Sequence, residues 1–278
     1  MSGAVPRPSD GQVALEVGLA SDRGLRRPLN EDSVLAERHL FAVADGMGGH
    51  EAGEVASSIC VATFAQGQEA AGDWLTPEDL QQFMVSADLA IREAAASRAG
   101  TTVTGAALVR QGEAVYWLVF NVGDSRTYLL SGDQFRQVTV DHSEVQEMVD
   151  RGEITAQEAL THPRRNVITR ALGTGEDSEA DFWMLPARPG DRLLICSDGL
   201  TNEVGDGAIR DVLLARTPAQ IAVDDLLQAA LRSGGRDNIS LVIVDVELEH
   251  DDDEFTDTAP RDAIESDHTQ PRPEDEGQ

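Results

Sequence analysis

Four apolar runs of this chain each meet an aspartate at one end, and that placement restricts the folds open to it. Phe41-Ala42-Val43-Ala44 leads into Asp45-Gly46, the run Leu193 to Ser197 leads into Asp198-Gly199, and Trp117 to Gly123 leads into Asp124. Asp237 stands just before the run Ile239 to Val246, with only Asn238 between them. Runs this rich in apolar and branched residues read as buried strands. Asp-Gly is also a favoured hairpin pair, so any one of these positions taken alone reads as turn chemistry. Together they imply more. Central strands of stacked sheets bring their ends together, and carboxylates gathered there repel one another unless a cation holds them. Oxygen-only ligands suit Mg2+ or Mn2+ rather than zinc, and the chain lacks the His and Cys clusters of a zinc site.

Strand-type runs span Val13–Leu19, Leu40–Ala44, Ala106–Val109, Val115–Val122, Thr127–Leu130, Arg192–Cys196 and Ile239–Val246. Two consecutive helices are expected over Ala52–Gln66 and Pro77–Arg98, the second with Thr76 as N-cap, Pro77 at its first position and Gly100 just past its end. A third is expected from Thr217, where Thr217-Pro218-Ala219-Gln220 reads as a capping box with an N1 proline. Its apolar residues Val223, Leu226, Leu227, Ala230 and Leu231 share one face. Blocks of strands and blocks of helices, without regular alternation, predict antiparallel sheets covered by helices, an α+β layered sandwich.

One domain is expected over residues 13–248. Residues 1–12 read as a disordered lead-in. Residues 249–278, acidic and poor in large apolar side chains, read as a disordered solvated tail. The net charge of −28 argues against nucleic acid and anionic membranes as partners, and favours a monomer. Cys60 and Cys196 lie in apolar runs and read as reduced core thiols. No stretch approaches the roughly 20 apolar residues of a membrane span, and the N-terminus lacks the apolar run of a signal peptide. A soluble, cytoplasmic protein is expected.

A further element, Ser21-Asp22-Arg23-Gly24-Leu25-Arg26-Arg27-Pro28-Leu29-Asn30-Glu31-Asp32, places paired arginines and two more carboxylates upstream of Asp45. A guanidinium fork beside a metal cluster suits a phosphate monoester, since it holds two phosphate oxygens at once. An ordinary salt bridge to the acidic surface is the plainer role for either arginine. The segments SDRGLRRPLNEDS, FAVADGMGGHEAGEVAS, NVGDSRTYLL, DHSEVQEMVDRGEI, HPRRNVITRALG, LLICSDGLTNEV and GGRDNISLVIV follow one another between Val17 and Val246. In that order they resemble the motifs of bacterial type 2C (PPM family) serine/threonine protein phosphatases.

The resemblance implies a four-layer αββα sandwich with a small helical flap, and two to three Mn2+ or Mg2+ ions at its edge. Carried onto matching positions, Asp45 would bridge two metals, with the Gly46 carbonyl on one and Asp198 and Asp237 on the other. Glu31 would act through water, with Asp32 orienting it, and Asp124 with Asp198 would serve a third, weaker metal. Arg27 matches the phosphate-binding arginine, whereas Arg26 stands where the family usually has an apolar residue. Met47 replaces the histidine of some eukaryotic relatives, a candidate acid for the leaving alcohol, and His50 is the nearest other one. Residues 143–170 resemble the flap, read locally as two short helices begun by Ser143-x-x-Gln146 and Thr155-x-x-Glu158 and separated by Gly152. His142 and His162 at its edges are expected to be structural. Implied partners are phosphorylated proteins, among them serine/threonine kinases and their substrates. The alternative is a non-catalytic phosphoprotein-binding module of the same fold.

Overall fold

A computed structural model describes residues 13–48, 52–72, 74–95, 99–112, 114–175 and 178–247. The expected lead-in, the acidic tail and His50 lie outside the described residues. The strands are β1 (Leu15–Asp22), β2 (Asp32–Glu37), β3 (Leu40–Gly48), β4 (Ala99–Thr101), β5 (Val103–Gln111), β6 (Ala114–Val122), β7 (Arg126–Ser131), β8 (Gln134–Gln137), β9 (Asp181–Pro186), β10 (Arg192–Cys196) and β11 (Ile239–Val246). The helices are α1 (Ala52–Ala71), α2 (Pro77–Ala95), α3 (Glu144–Asp150), α4 (Ala156–Ala159), α5 (Asp198–Thr201), α6 (Asp206–Leu214) and α7 (Ala219–Ser233). One sheet runs β1-β11-β10-β7-β8 and the other β2-β3-β5-β6-β9, with β4 joined to β3. Every pairing between named strands is antiparallel.

The strands carry unbroken apolar runs because both faces of each sheet are covered. Along β3, Phe41 and Val43 enter the core between the sheets, while Leu40, Ala42 and Ala44 pack with Cys60 and Phe64 of α1 and Leu80 and Ile91 of α2. Along β11, Val242 and Val244 face the other sheet, while Leu241 and Ile243 join Ile209 of α6 and Val223 and Leu226 of α7. This is the α+β four-layer αββα sandwich.

Several local expectations need correction. Helix α1 continues past Gln66 to Ala71, and Gly67, just beyond the expected end, is where the Phe83 ring of α2 rests; a Cβ there would collide with that ring. Helix α2 begins as expected, with Thr76 Oγ accepting from Asp79 N–H (3.1 Å) and Asp79 accepting from Thr76 N–H (2.8 Å). Gly100 is not its cap but a residue of β4, paired with Met47. Thr217 does not cap α7. Pro218 holds that position, and the N–H of Ala219 is taken by the Glu16 carboxylate of β1 (2.9 Å), while Gln220 binds Leu19 and Asp224. Strands β2, β4, β8 and β9 and helices α5 and α6 have no counterpart in the sequence reading. They are short, or, like β9, alternate between half-buried and exposed residues at a sheet edge.

Candidate active site

At one end of the stacked sheets, loops from both converge. β2 and β3 pair in a register that sets Asp32 opposite Asp45. Asp198 opens α5 directly after β10, Asp237 precedes β11 and Asp124 follows β6. Asp45 feels the other four: it is pushed well above the ordinary carboxylate range first by burial, then by Asp32, Asp198, Asp124 and Asp237. Asp124 is raised likewise, by burial and then by Asp198 and Asp141. Burial, opposed by hydrogen bonding from Ser240 and Ser197, lifts Asp32 to about 7, and burial with repulsion from Asp237 lifts Asp198 to about 6. Buried anions this close hold protons for want of a counter-charge.

The backbone around them is packed tightly. The Gly46 N–H donates to the Glu31 carbonyl (3.1 Å), and a Cβ on Gly46 would strike the carbonyls of Gly53 and Glu31. A Cβ on Gly53 would lie 2.6 Å from Glu31 Oε1, so that carboxylate rests over the start of α1 beside Gly46. Gly199 is obligatory for the same reason, since a Cβ would collide with the Asn238 carbonyl. Arg27 donates to Asp237 at 2.7 Å, and its pKa is raised by Asp237 first and then by Asp45 and Glu31. The structure thus brings Arg27, Glu31, Asp32, Asp45, Gly46, Asp124, Asp198 and Asp237 to one cleft.

Other site-building residues escaped the sequence reading. Asn238, 5% exposed, accepts from the Glu31 N–H (2.9 Å) and donates to the carbonyls of Arg23 (3.0 Å) and Leu29 (2.8 Å). Ser197 donates to Asp32 Oδ2 (2.9 Å), and Ser57 donates to the Glu31 carbonyl (2.6 Å). The one hint was a polar residue lodged beside an apolar run, as in Cys196-Ser197-Asp198 and Asp237-Asn238-Ile239.

Residues 143–170 have the two expected short helices, separated by Gly152 at φ +71. Thr155 and Glu158 form a complete capping box, whereas Ser143 supplies only half of one because the Gln146 amide turns to Asp150 (2.8 Å). His142 is structural: Nδ1 accepts from the Gly123 N–H (3.1 Å), Nε2 faces Asp181 (3.2 Å), and burial lowers its pKa. His162 accepts from the Arg164 N–H (3.2 Å) and so holds a turn.

The donors fit hard divalent cations. They are carboxylates, Asp32 Oδ1 and Asp124 Oδ1 are buried without a hydrogen-bond partner, and a cation would offset the repulsion that raises the pKa of both groups. No three His, Cys, Asp or Glu side chains among the described residues stand as a finished metal-holding set, and Arg27 occupies one oxygen of Asp237. Both cysteines are buried, and burial pushes their thiols up to about 12, so neither is a nucleophile.

The family model described as protein phosphatase 2C matches residues 29–233. Serine/threonine protein phosphatase PstP of Mycobacterium tuberculosis is 42% identical over 239 residues, covering 84% of this chain and 45% of that protein. The chain thus spans about half the length of that relative. Serine/threonine phosphatase stp of Listeria innocua is 36% identical over 242 residues, covering 82% of this chain and 94% of its own. The crystal structure of the catalytic domain of PstP in complex with two manganese ions superposes with a TM-score of 0.75 at 38% identity, covering 85% of this chain and all of that one.

Proposed function

Because the chain belongs to the protein phosphatase 2C family, we propose that it hydrolyses phosphoserine and phosphothreonine in other proteins, in a metal-dependent reaction. The observation that carries this is the gathering of Asp32, Asp45, Asp124 and Asp198, whose pKa values burial and then mutual repulsion raise, with Asp237 and the Arg27 guanidinium beside them. Asp45, the Gly46 carbonyl, Asp198 and Asp237 would hold two Mn2+ or Mg2+ ions, with Glu31 and Asp32 supporting them and Asp124 with Asp198 serving a third. Such ions lower the pKa of water and offset charge on the phosphoryl oxygens.

The chain's own residues supply the rest. The Arg27 fork suits two phosphate oxygens and would fix the ester with its leaving oxygen turned away from the carboxylates. Asn238 and Ser57 hold the Glu31 backbone, so the carboxylate and the arginine loop keep one spacing. Met47 has no proton to give the leaving alcohol, and His142 has both ring nitrogens engaged. No cysteine phosphoenzyme enters the scheme, given the buried thiols.

The reading extends to a cytoplasmic monomer acting on phosphorylated proteins, including serine/threonine kinases and their substrates. No helix among the described residues is long and apolar enough to cross a membrane, and the free buried cysteines suit a reducing compartment. We likewise assign residues 13–248 to the phosphatase domain and 143–170 to its flap.

The test is hydrolysis of a phosphothreonine peptide and of a small aryl phosphate by wild type and Asp45→Asn, each with Mn2+ and with EDTA. Turnover confined to wild type with Mn2+ is expected. Folded, Mn2+-loaded wild type that turns over neither substrate would instead be a phosphoprotein-binding module.

A further inference from the structure

We propose that the loop from Arg23 to Leu29, with Arg236, selects phosphorylated peptides that carry acidic side chains close to the phosphoresidue, Arg26 being the principal reader. This deepens the phosphatase reading and rests on it. The chain carries a net charge of −28, and all 22 of its basic side chains are arginines. Four of them, Arg23, Arg26, Arg27 and Arg236, lie on two segments that are stitched together at one wall of the carboxylate cleft.

The stitching is extensive. Leu25 N–H donates to the Gly235 carbonyl (2.7 Å), and Asn238 Nδ2 donates to the carbonyls of Arg23 (3.0 Å) and Leu29 (2.8 Å). Gly24, at φ +73, lets the loop pass so close to Asp237 that a Cβ would collide with its carbonyl. The backbone presenting these arginines is therefore fixed before substrate arrives, which limits the ordering entropy of recognition.

What the loop offers is cationic and partly apolar. Arg23, Arg26 and Arg27 are exposed, and Leu25 is 64% and Leu29 39% exposed between and beside them. Arg27 is committed to Asp237, and Arg23 donates to the Pro28 carbonyl (3.2 Å). Arg236 lies 3.5 Å from the buried Glu203 carboxylate while its own side chain stays 72% exposed. Arg26 makes no ion pair with any described residue. By contrast, Arg151 and Arg164 on the flap pair with Glu147, Glu153 and Glu144. Neutralising the cleft therefore does not account for Arg26.

Its place in the chain suits flank reading. Neighbouring Cα atoms are about 3.8 Å apart, and an extended peptide advances about 3.3 Å per residue. With phosphate at Arg27, a carboxylate two or three residues away comes within reach of Arg26, whose planar fork matches it. Acidic surface elsewhere on the protein repels such a substrate and leaves this wall as its approach.

The test compares matched phosphothreonine peptides flanked by Asp and Glu or by Gln and Ala. kcat/KM with Mn2+ is measured for wild type, Arg26→Ala, Arg26→Glu and Arg26→Lys, with a small aryl phosphate normalising each protein for the state of its centre. Wild type is expected to favour the acidic flanks by about fivefold, the scale of one exposed ion pair, and to lose that preference as salt is raised. Arg26→Ala should flatten the ratio, Arg26→Glu invert it and Arg26→Lys retain most of it. Equal turnover of both peptides by wild type, or a preference untouched by Arg26→Glu, overturns the inference while leaving the phosphatase reading intact. Wild type inert on the aryl phosphate as well removes both.

Discussion

Arg27 Nη2 lies 2.7 Å from Asp237 Oδ2, so the candidate phosphate-binding arginine is held by one of the candidate metal ligands, 210 residues away in sequence. Both groups are partly exposed, and the pair is correspondingly easy to separate. Phosphate and cation binding each compete for one of its members. Arg27→Ala should therefore lower kcat/KM on phosphopeptides by about a hundredfold or more, the scale of losing one charge-stabilising donor group. It should leave Mn2+ affinity equal or tighter, since a cation neighbouring Asp237 is removed. Steady-state kinetics paired with Mn2+ calorimetry separates the two effects; weaker Mn2+ binding would contradict this account of the pair.

Asp45 sits among four other carboxylates that raise its pKa, after burial. Asp45→Asn removes a carboxyl whose ionisation the metal-free fold opposes, so in EDTA at about pH 8 the variant should melt higher than wild type. About 1 kcal/mol of relief corresponds to roughly 2–4 °C in a domain of this size. The same variant should gain nothing from Mn2+. A lower melting point in EDTA would mean that Asp45 serves the fold rather than the cation.

The carboxylate cluster also sets the sign of a pH dependence. Folding raises Asp32 to about 7 and Asp198 to about 6, from an ordinary 3.8, through burial first and repulsion second. Between those limits the folded chain binds more protons than the unfolded one, so their contribution is complete below about pH 4 and is lost as pH rises through about 7. Asp45 and Asp124 shift in the same direction. His142, lowered by burial, works the other way as a single group. Urea melts in EDTA should show stability falling from pH 5 to pH 8, and Mn2+ should restore more at the upper end. A flat or rising profile in EDTA would show that the cluster is not strained.

Asn238 uses its side chain to fasten the Glu31 backbone and both ends of the arginine loop. Asn238→Ala leaves those groups unpaired at a buried position, a loss of about 1–3 kcal/mol. The variant should remain folded, with a lower melting temperature, and should lose activity on peptides more than Mn2+ affinity. Thermal melts and kinetics on one preparation check both halves.

Much of this protein is legible residue by residue. Hydrophobic runs located β3, β5, β6, β7, β10 and β11 because doubly covered strands must be apolar on both faces, and the aspartates at their ends marked Asp45, Asp124, Asp198 and Asp237. The Thr76-Pro77 start of α2 and the Thr155–Glu158 box could be read because capping depends on residues within one turn. The assignments that needed the folded chain are those whose partner is distant. Glu16 replaces Thr217 at the start of α7, the Phe83 ring rests on Gly67 of α1, and Asn238 and Ser197 build the cleft from the far end of the sequence. Local pattern encodes propensity and burial, which neighbouring residues determine. Which groups meet across β2 and β3, or between the arginine loop and the turn before β11, follows from chain closure, and only the tertiary structure decides it.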